Sequence, residues 1–230
     1  MAENTVPVPR HLGIILDGNR RWAKQQGLKT LEGHQQGAEV FREIVYAALD
    51  RGVEYVSAWI FSTDNWKRTQ EEVSYLMGLV LKVVDKYLDE FHQKGVKIVI
   101  LGSREGLNDK VIAALDKTIE KTANNTQGTV ALCFNYGGKQ EIIDAIKRLP
   151  DDEKADLTSD KFEQYLYSKD VPGVDLIVRT SGERRTSGYM MWRADYAELL
   201  FVDKFWPDFT TEDLDEVLAE YKQRNRRFGK

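Results

Sequence analysis

Residues 179–198 read RTSGERRTSGYMMWRADYAE and follow a short apolar run, residues 174–178, that is typical of a buried strand. The stretch places Arg179, Arg184 and Arg185 beside two serines and two glycines, in a segment with the composition of a loop. A guanidinium group can donate two parallel hydrogen bonds to phosphate oxygens, and glycine lets the backbone approach a ligand closely. The stretch therefore predicts a phosphate or diphosphate site at a strand end, although a solvated charged loop would have the same composition.

A second buried strand is predicted at residues 12–16, and DGNRRW, residues 17–22, follows it directly. A carboxylate at the carboxyl end of a strand is a usual magnesium ligand, and the amides at the start of a following helix attract anions. Taken alone, Asp17 is as consistent with a helix cap as with a metal ligand. The phosphate site is therefore predicted from the two stretches together.

The composition is that of one globular domain. The chain has 230 residues, 42% of them hydrophobic, which is enough for one α/β domain with a substantial core. Residues 1–10 are polar and predict a flexible N-terminal arm, and residues 11–230 form the predicted domain. Cys133 is the only cysteine, which excludes an intrachain disulfide. No apolar run reaches membrane-spanning length, and a cytoplasmic location is expected.

The net charge of −4 argues against general nucleic-acid binding, which needs a broad basic surface. Basic residues are instead grouped at positions 20–21, 67–68, 179–185 and 224–227. Such local groups suit a small, dense anion better than a polymer backbone.

Strand-like and helical patterns alternate along the chain. The strand-like runs are residues 12–16, 55–61, 97–101, 129–134, 175–178 and 199–202. The helical patterns are residues 35–50, 71–93, 109–124, 138–149 and 211–224. This alternation predicts a single α/β domain with a mainly parallel central sheet flanked by helices on both faces.

Seven motifs, in this order and over almost the whole chain, resemble the cis-prenyltransferase family, the undecaprenyl diphosphate synthase-like isoprenyl transferases. They are HLGIILDGNRRWA (11–23), GH (33–34), FSTDNWKR (61–68), NYGGKQEI (135–142), RTSGERRTSGYMMW (179–192), YAELLF (196–201) and RRFG (226–229). The resemblance implies an enzyme that condenses isopentenyl diphosphate with an allylic diphosphate to give a cis-polyprenyl diphosphate. It also implies Mg²⁺ as cofactor and a hydrophobic tunnel for the growing chain.

The resemblance assigns roles to residues of these motifs. Asp17 and Glu198 are the expected metal ligands. The residues expected around the allylic diphosphate are Gly18, Asn19, Arg20, Arg21 and His34. The other expected substrate-binding residues are Trp22, Ser62, Thr63, Asp64, Trp66, Arg68, Arg179, Arg185, Thr186 and Ser187. Thr30 and Gly188 depart from the family pattern, which usually has arginine and asparagine there.

Asn65 is implied by the family as the catalytic proton acceptor. Because a neutral amide is a very poor base, Asn65 is more consistent with orienting the substrate while a diphosphate oxygen takes the proton. The Asn135-Tyr136-Gly137-Gly138 turn is as consistent with a structural role as with substrate contact.

The apolar stripe of residues 71–93 predicts a helix that faces the core or lines the tunnel, and the bulky Ile60 would narrow that tunnel. The resemblance implies a homodimer in which the tail 226–229 reaches the partner's site, and the lipid product implies peripheral contact with the inner membrane face. Two alternatives remain: a non-catalytic supporting subunit, against which Asp17 and Glu198 argue, and a phosphohydrolase or nucleotide-binding enzyme. No P-loop or GxGxxG motif supports the latter.

Overall fold

The computed structural model describes residues 8–224. Six strands form one sheet: β1 His11–Ile15, β2 Tyr55–Ser62, β3 Val96–Leu101, β4 Gly128–Tyr136, β5 Leu176–Arg179 and β6 Glu198–Phe201. The α-helices are α1 Asn19–Gln25, α2 Thr30–Asp50, α3 Gln70–Gln93, α4 Asp109–Thr122, α5 Gly138–Arg148, α6 Ser159–Glu163 and α7 Thr211–Gln223. Short 3₁₀ turns lie at Thr63–Lys67, Asp151–Glu153 and Trp206–Asp208.

The sheet is parallel throughout, in the order β3-β4-β2-β1-β5-β6. From β1 the chain builds first towards β2 and later returns to place β5 on the other side of β1. Ligands of open α/β sheets bind outside the carboxyl ends of strands at such a reversal. The topology therefore predicts a binding site at the carboxyl ends of β1 and β5, where Asp17 lies two residues beyond β1 and Arg179 is the last residue of β5.

Successive residues of the buried strands point to opposite faces of the sheet, and each face packs against its own hydrophobic core. Ile14 and Val178 join a cluster with α2 and α7, whereas Ile15 and Ile177 face a cluster with Tyr189 and other residues of the irregular segment before and after β5. Burial on both faces explains why these strands read as continuous apolar runs rather than as an alternating pattern.

The predicted single-domain parallel sheet flanked by helices is confirmed, and all six predicted strands occur within two residues of their expected bounds. The helix expected directly after Asp17 is α1, Asn19–Gln25, whereas α2 begins at Thr30 rather than at residue 35, so His34 lies inside that helix. Glu32 stabilises this early start because its carboxylate accepts the Lys29 N–H at 2.8 Å.

Helix α1 packs closely on α2 at two glycines. A Cβ at Gly33 would lie 2.2 Å from the Asn19 carbonyl oxygen, and a Cβ at Gly37 would lie 2.3 Å from Asn19 Oδ1. Real Cβ atoms do not approach so closely, and glycine at both positions is therefore what lets Asn19 and the rest of the first turn of α1 sit beside the end of β1.

Part of the predicted arm belongs to the folded domain. Pro9 is buried, and Arg10 Nε pairs with Glu54 Oε2 at 2.8 Å. Residues 1–7 and the tail 226–229 lie outside the described residues. Within residues 8–224, no helix has the length and apolar content needed to cross a membrane.

Candidate active site

Asp17 and Arg179 form the centre of the site. In the register of the sheet, Ile15 of β1 lies opposite Arg179 of β5, so both side chains emerge at the same edge. Arg179 Nη2 donates to Asp17 Oδ2 at 2.8 Å, and Arg179 Nη1 donates to Ser187 Oγ at 2.9 Å and to the Arg185 carbonyl at 2.6 Å. The buried guanidinium thus connects the first motif to the loop after β5.

Arg21 is a second cation on the same carboxylate, with Nη2 3.3 Å from Asp17 Oδ1. It also bonds to Ser181 Oγ and lies 3.3 Å from Glu183 Oε1. Burial would raise the pKa of Asp17, but the hydrogen bond and charge of Arg179, with the charge of Arg21, outweigh it and lower that pKa. Asp17 is therefore an ionised carboxylate between two arginines.

A second charged cluster surrounds Glu72, in the first turn of α3. Its Oε1 accepts from Arg68 Nη1 at 2.7 Å and lies 3.5 Å from His34 Nε2 and 3.8 Å from Arg20 Nε. Glu72 is buried, and its partners come from α1, α2 and the turn after β2. One carboxylate thus holds three predicted substrate-binding groups together.

His34 is neutral at physiological pH in this environment. Burial is the main cause that lowers its pKa to about 4, and the nearby charge of Arg68 lowers it further, against the opposing effect of Glu72. An approaching anion would favour the protonated imidazole and raise this pKa. His34 can therefore respond to a bound diphosphate.

Both clusters lie on the wall of one cavity of about 1390 Å³. Its lining includes six arginine and lysine side chains and four carboxylates, so this wall has an excess of positive charge in a chain whose net charge is −4. The lining also includes a set of apolar side chains from α3, α4, β3 and β4, namely Leu76, Leu79, Val80, Val83, Val84, Ile100, Leu115, Leu132 and Phe134. A cavity lined by both cationic and apolar side chains suits a ligand with an anionic head and a hydrocarbon chain.

Comparison with known proteins agrees with this geometry. The family described as putative undecaprenyl diphosphate synthase matches residues 15–229. The chain is 45% identical to an isoprenyl transferase of Thermotoga maritima, over 96% of this chain and 97% of that protein. It is 38% identical to a ditrans,polycis-undecaprenyl-diphosphate synthase ((2E,6E)-farnesyl-diphosphate specific) of Micrococcus luteus, over 98% and 93% of the two chains.

The chain belongs to the undecaprenyl diphosphate synthase family. It is a cis-prenyltransferase, as the sequence motifs predicted. Its fold is similar to that of lavandulyl diphosphate synthase from Lavandula x intermedia, solved in complex with dimethylallyl diphosphate. The TM-score is 0.93 at 29% identity, over 97% of this chain and 99% of that one.

Most of the site residues predicted for this cis-prenyltransferase line the cavity. They are Asp17, Gly18, Asn19, Arg20, Arg21, His34, Ser62, Asp64, Asn65, Arg68, Arg179 and Ser187. Asn65 Oδ1 accepts the Ser62 N–H at 3.0 Å, which fixes the side chain at the start of the 3₁₀ turn. Asn65 is thus fixed in place on the cavity wall, and its substrate-orienting role stays a prediction.

Five other predicted residues do not line the cavity. Trp22 Nε1 donates to Asp208 Oδ1 at 2.7 Å, and Trp66 Nε1 donates to Asn135 Oδ1 at 2.7 Å, with its ring against Phe61. Trp66 therefore lies outside the cavity lining, and its expected contact with substrate stays a prediction. The others are Thr63, which lies against Gly137, Arg185, which is exposed and pairs with Glu183, and Thr186.

Glu198 lies at the amino ends of the strands, whereas Asp17 lies at their carboxyl ends. It begins β6 opposite Leu176, which in turn lies opposite Leu12. Leu12 precedes Asp17 by five residues, or about 16 Å along the strand direction at roughly 3.3 Å per residue. The Glu198 Oε2 accepts from Arg224 Nη1 at 3.0 Å. Within one chain Glu198 therefore lies far from Asp17, and its expected role as a metal ligand stays a prediction.

The site nevertheless fits a diphosphate with Mg²⁺. Among the described residues, the donor Arg179 Nε is buried without a hydrogen-bond partner, as a site for phosphate oxygens requires, and no cluster of three metal-ligating side chains occurs. Mg²⁺ in phosphate-transfer sites is typically bound by one or two carboxylates, substrate phosphates and water. Asp17 supplies one such carboxylate, surrounded by donors for the phosphates.

Glu72 is the main site residue that sequence reasoning missed. It lies within the amphipathic run of residues 71–93, where a charged residue near the start of a helix is expected for the helix dipole alone. Its sequence signal was the i, i+4 spacing from Arg68, which is common on exposed helices and so has little specificity.

Proposed function

We propose that this cis-prenyltransferase adds isopentenyl diphosphate units repeatedly to an allylic diphosphate, with Mg²⁺, and releases a cis-polyprenyl diphosphate. The observation that supports this proposal is a cavity of about 1390 Å³ that is lined by both arginines and apolar side chains. Each isoprene unit moved from water onto the apolar part of the lining gains roughly 0.8 kcal/mol per buried CH₂ equivalent. The growing chain is therefore drawn onto the apolar side chains while both diphosphates stay beside the arginines.

The two charged clusters suggest separate places for the two substrates. The allylic diphosphate binds at the start of α1, near Gly18 to Arg21, with His34 and Arg68 alongside. Isopentenyl diphosphate binds at Arg179, Arg185 and Ser187, where the guanidinium groups provide paired donors. The Arg179–Asp17 bond of 2.8 Å joins the two places, which brings the reacting carbons close together.

In each condensation a carbon–carbon bond forms between the terminal alkene carbon of isopentenyl diphosphate and C1 of the allylic substrate. The C1–O bond breaks, and the diphosphate leaves with the electron pair. A proton is then lost from the isopentenyl unit to a diphosphate oxygen. Asn65 orients the substrate, and neighbouring cations stabilise the leaving group.

Asp17 is the residue that would hold Mg²⁺ next to the leaving diphosphate. When bound, Mg²⁺ neutralises the charge that accumulates on that group. Without bound Mg²⁺, Arg179 and Arg21 keep the Asp17 carboxylate ionised and oriented.

We further propose a cytoplasmic homodimer that touches the inner membrane face only peripherally, through its lipid product. Sedimentation of the purified protein with and without vesicles tests both points. A monomer at micromolar concentration would contradict the dimer.

The function is tested by incubating the protein with Mg²⁺, labelled isopentenyl diphosphate and, separately, dimethylallyl, geranyl and farnesyl diphosphates. The dephosphorylated products are then sized, with an EDTA-treated sample as the metal control. We expect a series of long products that EDTA abolishes. A single condensation would limit the enzyme to short products, and no product from any primer would favour the supporting-subunit alternative.

A further inference from the structure

We infer that Gly138 is a positioning residue for isopentenyl diphosphate, because it holds Gly188 and, through it, Ser187 in place. The inference rests on the proposed function, which puts isopentenyl diphosphate at Arg179 and Ser187. It assigns a role to the Asn135–Gly138 turn. In the described part of the chain, neither glycine of this turn lines the cavity.

The loop that carries Ser187 has an unusual backbone. The backbone φ angle is 54° at Ser187, 89° at Gly188 and 48° at Met190. These values lie in the left-handed region, which residues other than glycine and asparagine rarely adopt. Such conformations persist only where surrounding contacts hold them. Ser187 itself is exposed, so the contacts that hold it lie on its neighbours.

Gly138 supplies one of those contacts. Its N–H, the first of α5 and without a partner inside the helix, donates to the Gly188 carbonyl at 3.0 Å. Beyond Gly188 the connection continues from Ser187 Oγ to Arg179 Nη1 at 2.9 Å and from Arg179 Nη2 to Asp17 at 2.8 Å. A displacement of Gly188 would therefore be transmitted through Ser187 and two hydrogen bonds to Asp17.

Only glycine fits at position 138. A Cβ there would lie 2.4 Å from the Gly188 carbonyl oxygen and 2.6 Å from Met191 Cγ. The Met191 side chain is partly exposed and can move aside, but the carbonyl belongs to the strained turn. An added methyl group would therefore push the loop with Ser187 away from Arg179.

The test compares Gly138→Ala with Gly78→Ala, a matched control in α3 where a Cβ would meet nothing within 4 Å. KM for each substrate, kcat and the melting temperature are measured. For Gly138→Ala we expect KM for isopentenyl diphosphate to rise about tenfold or more, since small misplacements at a site have large effects. KM for the allylic substrate should change less than about threefold. Gly78→Ala should change neither KM.

A double-mutant cycle with Ser187→Ala separates positioning from general loosening of the fold. If Gly138 acts through Ser187, the effect of Gly138→Ala on isopentenyl diphosphate should largely disappear once Ser187 is alanine. An unchanged KM for isopentenyl diphosphate, equal rises for both substrates, or full additivity in the cycle would overturn the inference.

Gly188→Ala reaches the same contact if Gly138→Ala does not fold. Its Cβ has space, 3.7 Å from Met191 Sδ, but the φ of 89° strains the turn, so the same rise in KM is expected. An unchanged KM in that variant would overturn the inference. If the wild-type protein condenses no allylic substrate, the proposed function fails; if it does and the variants behave like wild type, only the role of Gly138 fails.

Discussion

A buried polar cluster lies at each end of the strands: one at their amino ends, the amino edge, and one at their carboxyl ends, the carboxyl edge. The two clusters differ in how completely their polar groups are hydrogen-bonded. At the amino edge, His11 Nδ1 donates to the Pro172 carbonyl at 2.9 Å, and its Nε2 bonds to Ser57 Oγ at 2.8 Å. Tyr189 completes this cluster by donating to Ser57 Oγ at 2.7 Å. Each of these groups has a partner within the chain, which is what a purely structural cluster requires.

The carboxyl edge is different. There Asp17 faces two arginines, Glu72 faces Arg68, His34 and Arg20, and the donor Arg179 Nε lacks a partner among the described residues. Excess positive charge and an unmatched donor cost stability unless an anionic ligand completes them. The contrast teaches that incomplete pairing, rather than polarity alone, separates the binding edge from the structural edge.

The largest expected effect comes from Asp17→Ala, which removes the only carboxylate at the end of β1. We expect kcat/KM to fall about 10³-fold, as for other groups that stabilise charge in a transition state. Steady-state assays below the melting temperature measure it, and Asp17→Asn should be nearly as inactive. Asp116→Ala, which removes an exposed partner of Arg104, is the control. Activity above a tenth of wild type in either Asp17 variant would contradict the prediction.

Next come the two buried histidines, one at each edge. Burial is the first cause that lowers the pKa of both His11 and His34 to about 4. Because the unfolded state, with pKa near 6.5, binds protons first, stability falls as the pH drops below about 6.5. Each histidine should cost about 2 kcal/mol between pH 7 and pH 5. Urea unfolding at the two pH values measures the sum.

Inorganic diphosphate should distinguish the two edges. In an NMR titration it should raise the pKa of His34, which faces the cavity, and leave that of His11 unchanged. Equal shifts, or none, would mean that the two edges do not differ in the way the structure indicates.

A smaller effect is expected for Glu72→Gln, which keeps an acceptor for Arg68 but removes the charge that holds Arg20 and Arg68 beside the neutral His34. KM for the allylic substrate should rise about tenfold, or roughly 1.4 kcal/mol, because the two arginines then repel each other and separate. Glu90→Gln, which alters a similar ion pair of the same helix with Arg42, is the matched control. Equal KM values in the two variants would show that Glu72 is only structural.

The smallest effect on rate is expected for Ile60→Ala, which concerns the apolar part of the cavity lining rather than its charged part. Ile60 lines the cavity beside Phe61, and a smaller side chain leaves more space for hydrocarbon. We expect longer products at little change in KM, seen by sizing the dephosphorylated lipids. Ile143→Ala, on the exposed face of α5, should leave the product distribution unchanged.

The sequence by itself determined the parallel sheet and the centre of the site. Apolar runs of strand length are a local signal, and in a parallel sheet every strand ends at the same edge, so Asp17 and Arg179 had to lie on one side. The motif order identified the family for the same reason, since each motif is a continuous stretch of chain.

Only the tertiary structure decided which side chains complete that site. Glu72 joins Arg20, His34 and Arg68 from three other segments, Trp66 bonds to Asn135 instead of lining the cavity, and Glu198 begins its strand at the far edge. These outcomes depend on strand register and on the close packing of α1 on α2. Apart from the i, i+4 pair of Arg68 and Glu72, these contacts join residues far apart in the chain, and no local pattern of the sequence contains them.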